Sequence, residues 1–78
     1  MKITSAELRQ VRETVRQSID DGEYETAYRL LDMLIGLDGK FMGSKLPRRE
    51  VSKAGRYARA RHWQAAARKL WSLLRLDE

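Results

Sequence analysis

One amphipathic stretch that returns at a fixed offset limits this chain more than any other feature. Residues 22–38 read G-E-Y-E-T-A-Y-R-L-L-D-M-L-I-G-L-D, and the pattern recurs 39 positions later. Tyr24 falls on Trp63, Ala27 on Ala66, Arg29 on Arg68 and Leu31 on Leu70. Leu34, Ile35, Leu37 and Asp38 fall on Leu73, Leu74, Leu76 and Asp77. Apolar residues at three- and four-residue spacing define one face of a helix. The echo therefore predicts an all-α chain of four helices arranged as two antiparallel hairpins, at about 5–20, 23–37, 48–59 and 62–76. They form one domain over 1–78, with an interhairpin loop at 38–47.

The first helix has a clear beginning and end. Thr4 and Glu7 have the spacing of a capping box. Leu8, Val11, Val15 and Ile19 make a narrow apolar stripe, and Asp20-Asp21-Gly22 supplies the stop, with glycine suited to a left-handed C-terminal residue. The second helix opens with Glu23 and Glu25 against the positive end of the helix dipole. Its apolar face is broad: Tyr24, Ala27, Tyr28, Leu31, Leu34 and Ile35, widened by Leu30, Met33 and Leu37. A face of that width implies two neighbours, either two helices of the same chain or one helix and a partner.

Between the hairpins, G-L-D-G-K-F-M-G-S-K-L-P breaks all periodicity. Phe41 and Met42 in such a loop either tuck back onto the core or serve as an apolar anchor for a protein partner. The glycines do not make a phosphate loop, because no G-x-x-x-x-G-K-[ST] occurs. Pro47 suits the start of the third helix. Val51, Ala54, Gly55 and Ala58 give that helix a small-residue face that allows close approach, and cations cover most of the rest. Trp63, Ala66, Ala67, Leu70, Leu73 and Leu74 form the inward stripe of the fourth helix, with Trp71 at its margin. Ala-Arg-Ala-Arg-His between them has no glycine or proline, so one continuous helix over 48–76 is the alternative. The echo favours a turn at 59–62.

At Gly22-x-Tyr24-x-x-Ala27-x-x-x-Leu31, followed by Leu37-Asp38, the chain resembles the second-helix half of a tetratricopeptide repeat. Trp63-x-x-Ala66-x-x-x-Leu70 and Leu76-Asp77 look like a weaker second copy, with Arg61 where the glycine would stand. The resemblance covers about half the chain and departs from the family in its 39-residue period, in lacking the first-helix signature, and in Gly39 where proline is expected. It implies a similar packing geometry and, by analogy, protein–protein recognition.

Composition narrows the function classes. A chain of 78 residues sits near the lower limit for an independent core, which makes self-association or a partner a reasonable expectation. With no cysteine, a disulfide framework and a thiolate zinc site are excluded. There is one histidine, His62, and no constellation of carboxylates around it, so neither catalysis nor a cofactor is expected. No membrane-spanning run and no signal-peptide core are present, and a cytoplasmic protein is expected. Charge is divided: residues 1–39 hold five basic and eight acidic side chains, residues 40–78 eleven and three.

The expectation that follows is a small non-enzymatic module that binds a protein partner through Phe41 and Met42, as a regulator, adaptor or inhibitor. Its length also suits a phage or mobile-element product. The alternative is a basic nucleic-acid-binding protein. Its contacts to the phosphate backbone would come from Arg48, Arg49, Lys53, Arg56, Arg59 and Arg61 on helix three and the following turn. A homodimer through helix two is compatible with either.

Overall fold

A computed structural model describes residues 4–35, 39–41 and 44–74. The chain is all-α, and the described residues form four helices: α1 (Ser5–Asp20), α2 (Tyr24–Leu34), α3 (Arg48–Arg59) and α4 (Trp63–Leu73). Between α2 and α3 a minimal antiparallel ladder pairs β1 (Lys40–Phe41) with β2 (Ser44–Lys45), in the register Lys40 to Lys45 and Phe41 to Ser44. That ladder was not anticipated in a segment read as loop. Helix α1 begins with the expected box: the Glu7 amide donates to Thr4 Oγ1 at 3.1 Å, and the Thr4 amide donates to Glu7 Oε1 at 3.3 Å.

The two interhelical turns are the same structure written in different residues. At the end of α1, the Gly22 amide donates to the Ile19 carbonyl and the Glu23 amide to the Ser18 carbonyl, with Gly22 at φ 77°. At the end of α3, the Arg61 amide donates to the Ala58 carbonyl and the His62 amide to the Tyr57 carbonyl, with Arg61 at φ 61°. Both are Schellman closures, which satisfy orphan carbonyls through one left-handed residue. Glu23 and His62, which cap the next helices, share φ −88° and ψ 67°. The break at Arg61 excludes a continuous helix over 48–76.

The core is assembled from matching positions of the two copies. Leu31 and Leu70, Ala27 and Ala66, and Val15 and Ala54 are each buried almost completely. Leu46 and Leu74 complete the buried apolar set with Ala67. Each of Leu31 and Leu70 contributes about 1.5–3 kcal/mol by leaving water. Ser18, the one buried polar residue among those described, donates its hydroxyl to the Thr14 carbonyl at 3.0 Å.

Consecutive helices pack together, α1 on α2 and α3 on α4, and the copies meet where α2 packs on α4. The breadth of the α2 face is thus accounted for by two neighbours within the chain. Tyr28, midway along α2, meets Trp63 at the start of α4, with ring centroids 5.8 Å apart. Arg68 and Trp71, later in α4, face Arg16, Ile19 and Asp20 at the end of α1. Since the end of α1 lies level with the start of α2, α4 runs back along α2 in the opposite sense.

Gly55 differs from its expected role. A methyl group built on it meets no atom within 4 Å, so close approach of helices does not demand glycine there. Ala54, fully buried, is the residue that sets the contact.

Candidate functional site

Helix α3 buries little and therefore shows most of itself. Val51 and Ala54 turn toward the core, with Tyr57 and Ala58 half-buried. Arg48, Arg49, Ser52, Lys53, Arg56 and Arg59 are exposed, and Arg61 in the following turn is exposed as well. All six cations expected to meet an anionic partner thus lie at the surface. A helix of 12 residues spans about 18 Å, so they form a short rod of positive charge.

The single acidic residue of α3 does not dilute this face. Glu50 Oε2 lies 2.6 Å from Lys69 Nζ on α4, and both side chains are half-buried. The hydrogen bond from Lys69 holds the Glu50 carboxyl below the usual glutamate range; burial opposes this, while the charges of Lys69, Lys53 and Arg49 add to it. The carboxylate is thus drawn onto α4, and among the described residues none of the six surface cations has a carboxylate in ion-pair contact.

A second cluster lies where α2 meets α4. The Arg29 guanidinium lies 5.8 Å from the centroid of the Trp63 ring and also bonds Glu25 Oε2 through Nε at 3.1 Å. Tyr28 packs on the same indole at an interplanar angle of 51°. Burial raises the Tyr28 hydroxyl above its ordinary pKa, Asp32 reinforces this, and Arg59 opposes it.

Two hollows open beside α4. One, of about 300 Å³, is lined by Arg16, Ile19, Asp20, Arg68 and Trp71. The other is shallower and is lined by Arg61, His62, Trp63, Gln64, Ala65 and Arg68. Arg68 belongs to both. Arg16 lies off the apolar stripe of α1, and Trp71 at the margin of the α4 stripe. Periodicity within one helix does not reveal that the two meet, because their meeting depends on how α1 sits against α4.

Phe41, expected as a possible partner anchor, is half-buried and packs against the core. Met42 lies outside the described residues. Met33 on α2 is the large hydrophobic side chain most exposed among those described, at 79%. Among the described residues, no group of three or more His, Cys, Asp or Glu is placed to hold a metal ion. No helix among them is long and apolar enough to cross a membrane. Searches against family models, curated proteins and solved structures find no significant match to this chain.

Proposed function

We propose that the chain is a small non-enzymatic binding module whose working surface is the basic face of α3 and its following turn, and whose partner is the phosphate backbone of nucleic acid. The observation behind this reading is that three of the cations occupy positions where local physics disfavours them. Arg48 and Arg49 sit in the first turn of α3, at the positive end of the helix dipole. Each is unfavourable there by about 0.3–1 kcal/mol. Arg61 occupies the left-handed position that Gly22 fills in the other copy, a conformation that costs a non-glycine residue about 1–2 kcal/mol. Stability of the fold does not account for these three residues; a surface selected to hold positive charge does.

The chemistry of the face favours phosphate over an acidic protein. Five of its six cations are arginine, whose planar fork engages phosphate oxygens in pairs. Tight protein interfaces are built around buried apolar or aromatic anchors, and the described residues of this face present none. In an anisotropy titration, duplex and single-stranded oligonucleotides are expected to bind at low salt and to weaken steeply as salt is added. The triple change Arg49→Glu, Lys53→Glu and Arg56→Glu should abolish binding. Affinity that is indifferent to salt, or that survives the triple change, would sink the proposal.

A protein partner is the second reading, and it is supported by Met33, which stands exposed on α2. Helical pairs with tetratricopeptide-like turns commonly serve recognition of this kind, and α2 is where a second copy or another protein would seat. Met33→Glu should then abolish capture or self-association while leaving oligonucleotide binding intact.

A further inference from the structure

The hollow between α1 and α4 has a composition that a backbone-only binder does not need. We infer that it receives one base of a single-stranded nucleic acid, with Trp71 as the stacking surface and Arg16 and Arg68 engaging the flanking phosphates. The inference rests on the basic-face reading above and adds the form of nucleic acid preferred. Its volume of about 300 Å³ is at the low end for a small-molecule site, large enough for a single planar ring and too small for a folded ligand. An indole and two arginines lining one open groove match what single-strand binders use, because every base has a face to stack while the phosphates meet positive charge.

Trp63 is less suited to this task. Its ring already has Tyr28 against it and the Arg29 guanidinium over it. The Trp71 side chain packs partly against the core and otherwise lines the hollow. Asp20, also in the lining, disfavours a phosphate directly above it but can accept a hydrogen bond from a base N–H. That leaves the two arginines as the phosphate contacts. Arg68 also lines the neighbouring hollow with Arg61, so positive charge continues from this cleft to the turn that ends α3.

The internal repeat provides a control within the molecule. At the repeat-related positions, Gly55 of the second copy corresponds to Arg16, and Arg29 and Asp32 of the first copy correspond to Arg68 and Trp71. The shared frame thus carries a cation pair and an indole on one side and an acid in place of the indole on the other. A helix frame needs neither Arg16 nor Trp71, since the second copy forms its first helix with Gly55 in place of Arg16 and the first copy forms its second helix with Asp32 in place of Trp71.

The test uses a labelled oligothymidylate and a duplex of equal length at low salt. Trp71→Ala and Arg68→Ala are each expected to weaken single-strand binding, the former by about tenfold, while duplex affinity stays within about twofold. In a Trp63→Phe background Trp71 is the one remaining tryptophan, and its emission should be quenched as oligothymidylate is added. This readout holds even if Trp71→Ala folds poorly. Unquenched emission, or equal losses for strand and duplex, overturns the cleft and leaves the basic face standing. Displacement by polyglutamate as effective as by oligothymidylate assigns the surface to any polyanion and overturns it too. Failure of both nucleic acids to bind removes the basic-face reading itself, and this inference with it.

Discussion

The two helical pairs reach the same turn by different means, and the difference separates what the fold requires from what it tolerates. Gly22 and Arg61 both hold a left-handed backbone, donate one of the same pair of closing hydrogen bonds and lead into capping residues of equal φ and ψ. One residue is free of a Cβ penalty and the other bears it. The geometry is therefore imposed by the packing of the helices on either side, with glycine a convenience. The same contrast runs through the helices: α1 caps itself with Thr4 and Glu7, whereas α3 starts at Pro47 with no side-chain cap and two arginines in its first turn. The second pair gives up local stability and gains charge.

The strictest check on the equivalence of the copies is their shared core. Leu31→Ala and Leu70→Ala should each destabilise the protein by about 2–5 kcal/mol, because both leucines are fully enclosed and their removal leaves a cavity. Urea denaturation of the two variants should give losses that agree within about 1 kcal/mol. A loss confined to one would show that the copies do not share a single cooperative core. In so small a domain, either change removes much of the total stability.

The turns give the next largest effect, with opposite signs. Gly22→Ala should cost about 1–2 kcal/mol, and the strain lies in the backbone alone, since a methyl group there meets no atom within 4 Å. Arg61→Gly relieves the same strain but loosens the unfolded chain, so a smaller gain of about 0.5 kcal/mol is expected. Thermal unfolding of both variants measures the pair. If Arg61→Gly destabilises instead, the arginine makes a contact that outweighs its conformation.

Gly55 offers a change within α3 that should stabilise. Gly55→Ala places a methyl group in open space on a helix interior, for a gain of about 0.5–1 kcal/mol. A loss on that substitution would show that α3 moves closer to a neighbour in solution.

Much of this was legible from spacing. The capping box, the stop at Gly22, the bounds of α1 and α3 and the matched buried pairs all follow from local rules that one helix obeys alone. Glycine 39 residues before Arg61 was enough to place the second turn, although nothing in A-R-A-R-H marks one. The β1–β2 ladder was missed because two-residue strands have no period to detect. For the candidate site the division is similar. The basic residues of α3 were visible as a run, and helical phase predicted their exposure. The pairing of Glu50 with Lys69 and the shared hollow of Arg16 and Trp71 were not visible, since each joins elements whose relative placement the sequence states only through the finished core.

The Glu50–Lys69 pairing yields the smallest effect and the one that ties stability to the charged face. Because Lys69 holds the Glu50 carboxyl below its ordinary range, the folded state favours the charged form more than the unfolded chain does. Its contribution is therefore present above the unfolded-state pKa and is lost as pH falls through the lower, folded value. Glu50→Gln should lower the urea midpoint at neutral pH, and the gap to the unaltered protein should close at acid pH. The substitution also removes the countercharge that keeps Lys69 turned inward, so oligonucleotide binding at neutral pH should rise slightly. A midpoint gap that persists undiminished in acid would mean that Glu50 supports α3 by packing. The positive character of its outer face would then owe nothing to the ion pair.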